Sequence, residues 1–204
     1  MRGFTAEKEE YMRIITGKAR GAVLKTLPGD TTRPTAAKIK EAVFSALQFD
    51  LEGRRFLDLF AGSGQMGLEA LSRGAASATF VDATKEALDI VKENAEKTQL
   101  FPLCRFCLSD YRNFIRKEGA RGEKYDLIFI DPPYAARLAA DAAERIRKAS
   151  LAKPHTLFIA ESEEEDIFGE KPALALSFEI LRKKKYGRTT ITFFRQKEDG
   201  GNEE

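Results

Sequence analysis

The sequence is poor in the residues that metal and redox chemistry draw on. Its 204 residues include one histidine, His155, and two cysteines, Cys104 and Cys107. A Cys-x-x-Cys with no second pair and no nearby histidine falls short of a zinc ligand set, and the run around it, LCRFCL, is strand-like. The two thiols are therefore expected to be buried strand side chains, with no metal bound. With no disulfide framework, a reducing cytoplasm is the expected compartment. No apolar run approaches a membrane span, and the first residues, with Glu7, Glu9 and Glu10, lack the pattern of a signal peptide, so no membrane partner is expected. No internal repeat or low-complexity segment is present.

Negative charge is also scarce in particular places. Residues 180–197 hold seven Lys/Arg and no acid, and residues 11–48 hold seven Lys/Arg against two acids, although the formal net charge of the chain is only +2. The acids collect in 161–170 and 198–204. Charge segregated in this way suits a polyanion such as nucleic acid better than a neutral small molecule. Arg13, Lys18, Arg20, Arg33, Thr35, Lys38 and Lys184 are the expected contacts to phosphate groups.

With 43% hydrophobic and 32% charged residues, the chain is expected to fold as a globular domain with a small appendage, and as a monomer. Residues 1–10 and 197–204 read as disordered tails, 11–50 as a hairpin and helix that dock substrate, and 51–196 as the main domain. In the appendage, short strands at 13–15 and 22–24 flank a glycine-bounded turn, and a helix from 36 to about 47 follows Thr35 as its N-cap. Thereafter strands are expected at 55–60, 77–81, 103–108, 125–130 and 156–160, with helices at 67–73, 85–98, 111–117 and 137–149 between them. Residues 178–185 and 189–195 read as a closing antiparallel hairpin.

The stretch FLDLFAGSGQMG, residues 56–67, organises this pattern. A buried strand leads into Gly62-Ser63-Gly64, and Gly67 opens a helix whose free N–H groups can face a polar cofactor tail. Gly62-x-Gly64-x-x-Gly67 matches the dinucleotide fingerprint, and Asp82 lies 20 residues after Gly62, where a ribose-binding acid is expected. That much leaves a nicotinamide enzyme open. Asp58, inside the strand, is placed to face the ammonium group of a methionine moiety, and so favours S-adenosylmethionine (SAM). Asp58, Asp82, Asp110 and Asp131 sit in or just after successive strands, so the four acids converge on the carboxyl edge of a parallel sheet. Phe60, Ala61, Ser63, Ala83 and Tyr111 flank these positions and complete the expected cofactor pocket.

Asp131-Pro132-Pro133-Tyr134 carries different chemistry. The exocyclic amine of a nucleobase is a poor nucleophile, because its lone pair is delocalised into the ring. The Asp131 carboxylate and the Pro132 carbonyl can accept from its two N–H groups, and the paired prolines hold that carbonyl in place. Tyr134 offers a face on which an extruded base can stack. The motif does not fix the base: adenine N6, cytosine N4 and guanine N2 all remain open.

The glycine stretch resembles motif I of class I SAM-dependent methyltransferases, and DPPY resembles motif IV of the amino-methyltransferases. Together with Arg13-Ile14-Ile15-x-Gly17, Arg33-Pro34-Thr35 and Lys40-Glu41-x-Val43-Phe44, they resemble the bacterial RsmD-type methyltransferases, over residues 13–195. The resemblance implies an α/β, Rossmann-like class I methyltransferase fold: a seven-stranded, mostly parallel sheet with its last strand antiparallel, plus the N-terminal hairpin and helix. It implies methylation of guanine N2 in 16S ribosomal RNA, within an assembled or assembling small ribosomal subunit. Gly62, Ser63 and Gly64 would line the methionine end of SAM, Asp82 would take the ribose hydroxyls, Asp110 the adenine amine, and Asp131 to Tyr134 the target guanine. Many members carry Glu where this chain has Asp82, and Leu where it has Met66. The competing readings are a DNA adenine or cytosine methyltransferase, a nicotinamide oxidoreductase and a non-catalytic RNA-binding assembly factor. The chain has no obvious room for a DNA-reading domain and no obvious Tyr-x-x-x-Lys or histidine proton relay, and an intact DPPY speaks against loss of catalysis.

Overall fold

The computed structural model describes residues 12–27, 34–48, 50–133 and 136–197. Its centre is a seven-stranded sheet in the order β3-β2-β1-β4-β5-β7-β6. The strands are β1 (Arg55–Asp58), β2 (Ser77–Asp82), β3 (Cys104–Leu108), β4 (Tyr125–Ile130), β5 (Ala152–Ser162), β6 (Phe178–Tyr186) and β7 (Thr189–Gln196). β1 to β5 are mutually parallel, while β7 inserts between β5 and β6 and runs antiparallel to both. This is the class I methyltransferase arrangement.

Alternating side chains along each strand split the core in two. Phe56, Phe80, Phe129, Ile159 and Ile191 face one layer, shared with the N-terminal hairpin and with α1 (Pro34–Ala46), α2 (Gln65–Ser72) and α3 (Lys85–Lys97). Leu57, Val81, Ile128, Phe158 and Phe194 face the other, covered by α4 (Tyr111–Ala120) and α5 (Ala136–Lys148) with the single turn α6 (Pro172–Ala175). The central strands β1, β2 and β4 are apolar on both sides because each side of the sheet is covered there, whereas the edge strand β6 is largely exposed.

The elements follow the sequence-based order with local differences. α1 opens at Pro34, so Thr35 lies within its first turn and is not its N-cap. Proline is well suited to that first position, having no N–H to leave unpaired. β5 is longer than expected, because its polar start pairs with β4 through Tyr125 and Ala152 before the register shifts. The hairpin forms around an Arg13–Val23 bridge. Cys104 and Cys107 are free and half-buried on β3. They fall in opposite layers of the core, as an i,i+3 pair on a strand must, and so cannot share a ligand. Burial pushes the Cys104 thiol up to about 12, which makes it unreactive. Among the described residues no helix is long and apolar enough to cross a membrane, and no group of three or more His, Cys, Asp or Glu side chains is placed to hold a metal.

Candidate active site

The loop between β1 and α2 is built by its glycines and closed by two aspartates. Gly64 has φ 77, and a Cβ there would lie 2.7 Å from the Val91 side chain of α3. At Gly67 a Cβ would come within 2.3 Å of the Phe80 ring, so α2 approaches β2 more closely than any side chain at this position allows. Asp58 is 1% exposed, and its Oδ2 accepts the Gly67 N–H at 3.0 Å. It thereby satisfies a first-turn donor that α2 has no capping side chain to satisfy. Burial raises the Asp58 carboxyl to about 7, against the Gly67 hydrogen bond, and the nearby charge of Asp82 adds to the rise. A buried carboxylate held in this state is poised for a cationic partner.

Asp82 ends β2 and binds the same loop. Its Oδ2 accepts the Gly62 N–H at 3.0 Å, and its Oδ1 accepts both the N–H and the hydroxyl of Thr84 at 2.9 Å. Asp110 follows β3 and caps α4, accepting the Arg112 N–H at 2.9 Å. Phe60 packs on Tyr111 at 5.2 Å between ring centres, and the Tyr111 hydroxyl donates to Asp141.

These side chains line a single cavity of about 610 Å³ at the carboxyl edge of the sheet. Of the sequence-predicted residues, it brings together Asp58, Phe60, Ala61, Gly62, Ser63, Asp82, Ala83, Asp110, Tyr111, Asp131, Pro132 and Pro133. Gly64 and Gly67 stand behind the wall and shape it. Tyr134 lies outside the described residues. A larger groove of about 760 Å³, between α4 and α5, is lined by Arg112, Arg116, Arg145 and Lys148, has none of the acids of the glycine loop, and belongs to a different surface.

Residues 12–195 match the family described as conserved hypothetical protein 95. The chain belongs to that family, the RsmD-type methyltransferases. The ribosomal RNA small subunit methyltransferase D of Haemophilus influenzae is 32% identical over 79% of this chain and 83% of its own length. YlbH of Bacillus subtilis is 32% identical over 91% of this chain and 100% of its own length. The solved structure of yhhF from Escherichia coli superposes with a TM-score of 0.78 at 25% identity, covering 92% of this chain and 99% of that one.

Around its cavity, this RsmD-type chain carries residues whose importance its motifs do not announce. Met12, Thr26 and Leu27 of the N-terminal segment line the pocket. Fully buried Asn94 on α3 donates to the Lys25 and Ser63 carbonyls and accepts the Lys25 N–H, so it joins that segment to the glycine loop. Glu69 on α2 is 0% exposed and accepts the N–H groups of Ile15 and Thr16, with Arg73 and Lys40 beside it. Burial lowers the Lys40 ammonium below its usual range, and Glu69 opposes that shift. The one signal available in sequence was a polar residue on an otherwise apolar helical face.

Of the residues expected to contact phosphate, Arg13, Lys18, Arg20 and Lys38 are exposed on the hairpin and α1, and Arg33 lies outside the described residues. For Thr35 only its place in α1 is described. The basic run of β6 divides by face. Lys183 and Lys185 pair with Asp166 and Glu165, whereas Lys184 lies over the Tyr186 ring at 5.1 Å. Arg182 and Lys184 are register partners of Phe193 and Ile191, which places them on the face shared with the hairpin.

The row of acids that follows the strands continues onto β5, outside the cavity lining. Glu161 follows Ala160, and Asp131 follows Ile130, its register partner on the neighbouring strand. Burial raises the Glu161 carboxyl to about 7.

Proposed function

We propose that this protein transfers a methyl group from SAM to the N2 amine of a guanine in small-subunit ribosomal RNA, within an assembled or assembling subunit. The observation that carries this reading is that Asp131, Pro132 and Pro133 open onto the same cavity as Asp58, Asp82 and Asp110. A motif suited to holding an amine thus meets a pocket suited to a nucleoside with a cationic tail. The relatives named as ribosomal RNA small subunit methyltransferases support the substrate class.

The chain's own residues fit SAM. Among the described residues Asp58 has no cationic group to explain its burial, since its hydrogen bond is to an amide. Gln65, on the same wall, has a buried Oε1 without a partner among the described residues. A Cβ at Gly62 would meet no protein atom within 4 Å, so its bare backbone faces open space. Asp58 and Gln65 would hold the methionine ammonium, Asp82 the ribose hydroxyls and Asp110 the adenine amine. When bound, SAM supplies an electrophilic methyl group on a sulfonium.

The remaining work is positional. Asp131 Oδ and the Pro132 carbonyl accept from the two N–H groups of the target amine, which draws the nitrogen toward tetrahedral geometry and aims its lone pair into the cavity. The nitrogen sheds one proton as it forms the new bond to carbon, and the exposed Asp131 carboxylate is placed to take it and pass it to water. Transfer of label from SAM to ribosomal RNA in small subunits, compared with DNA, tests the assignment, and mass mapping of the product identifies the base. Label appearing in DNA and not in RNA would overturn it.

A further inference from the structure

Glu161 lies beside the site yet takes no part in the contacts described so far. It is half-buried, and among the described residues its side chain makes no hydrogen bond or ion pair. Its strand alternation is informative. Ile159 faces the layer of the hairpin and α2, Ala160 faces the opposite layer, and so Glu161 returns to the first. Ile191, its register partner on β7, belongs to that same first layer. On the next strand Ile130 is the register partner of Ala160, and Asp131 is one residue past Ile130 as Glu161 is one residue past Ala160. Two acidic residues therefore follow a register pair of adjacent strands, Asp131 lining the cavity and Glu161 on the next strand, between β4 and the basic hairpin of β7 and β6.

We infer that Glu161 is the residue that selects the base: it accepts the N1–H of the target guanine while Asp131 and the Pro132 carbonyl accept from its N2 amine. This rests on the guanine reading above. The Watson–Crick edge of guanine presents three hydrogens in a row to be accepted, one on N1 and two on N2. Adenine and cytosine also carry an exocyclic amine, and would satisfy Asp131 and Pro132 equally well. Next to that amine, however, they present a ring nitrogen with a lone pair. Above pH 7, where the Glu161 carboxyl is ionised, a lone pair opposite it leaves it without a partner and repels it, and an unpaired charged acceptor is costly away from water, so the comparison belongs at pH 8. A flipped base is read through this edge, so one acceptor in this place supplies the discrimination that DPPY lacks.

The test removes the N1 hydrogen and leaves the reacting amine in place. Small subunits from cells lacking the enzyme provide guanine at the methylated position, and subunits reconstituted on ligated RNA carry 2-aminopurine there. 2-Aminopurine keeps the N2 amine but has a bare N1 and lacks the O6 carbonyl; the Glu161 variants separate the two changes, since only the loss at N1 depends on Glu161. The wild-type enzyme is expected to lose roughly 100-fold in kcat/KM on 2-aminopurine, the cost of one charged acceptor left unpaired. Glu161→Gln, whose amide can accept or donate, is expected to methylate guanine more slowly and to differ less than about tenfold between the two bases. SAM binding to this variant, measured by calorimetry, should match wild type and so report an intact fold. Glu161→Ala, with no group to accept or donate, should likewise lose the preference. A wild-type enzyme indifferent to the base, or a Glu161→Gln enzyme with the full wild-type preference, would overturn the inference. Wild-type enzyme that leaves guanine-bearing subunits unlabelled would instead overturn the guanine reading itself.

Discussion

Asp58 shows how one residue can couple folding, cofactor and pH. Its carboxyl stands near 7 in the cofactor-free protein against an ordinary value of 3.8. A cation binds the ionised form, so SAM affinity should rise roughly tenfold between pH 6 and 8 and then level off. Calorimetry across that range, in buffers of different ionisation enthalpy, should also detect proton release. The stability of the cofactor-free chain has the opposite trend. An acid whose folded value lies above its unfolded one binds more protons when folded, so stability falls as pH climbs through the interval between them. Asp58→Asn should bind SAM more weakly and flatten both profiles. At the cavity mouth the expectation separates the two ligands: Asp131→Ala should lose on the order of 3–4 kcal/mol of transition-state stabilisation and keep its SAM affinity. If SAM binding and turnover fell together, Asp131 would belong to the cofactor instead.

Among the elements, α2 and β6 make claims that a gel or a melt can check. Gly67→Ala pushes a methyl group into the Phe80 ring, and its urea midpoint should fall by an amount equivalent to about 1–3 kcal/mol. Combining it with Phe80→Leu should restore part of that loss, since the two changes share one volume. On β6, reversing Arg182 and Lys184 together should weaken RNA binding and reduce its salt dependence, while SAM affinity is unchanged. Reversing Lys183 and Lys185, which already face Asp166 and Glu165, should do less. The glycine loop, the acids after successive strands and the DPP turn were legible in the sequence because each is a short local pattern with a local physical reason. The run RKKK was legible only as charge, since its division into two faces depends on pairing with β7. Glu161, Glu69 and Asn94 draw their meaning from partners 30 to 69 residues away, where no local pattern points.

At the scale of the whole molecule, the N-terminal hairpin and the cofactor loop are fastened to the same helix. Glu69 holds the backbone at Ile15 and Thr16, and Ser72 holds Thr16 and Ala19, while the first turn of α2 carries the glycine loop. Glu69→Ala leaves Lys40 buried without its carboxylate and should cost about 3–5 kcal/mol, measurable as a lower thermal midpoint. A milder Glu69→Gln should keep the fold and raise the KM for RNA more than that for SAM. Gly17 packs so tightly on α2 that a Cβ there would overlap the Ser72 carbonyl, at 1.8 Å. An appendage seated this closely is not an interchangeable module. Its sequence can drift only in step with α2, and grafting the hairpin onto another methyltransferase would carry across the shape but not the seat.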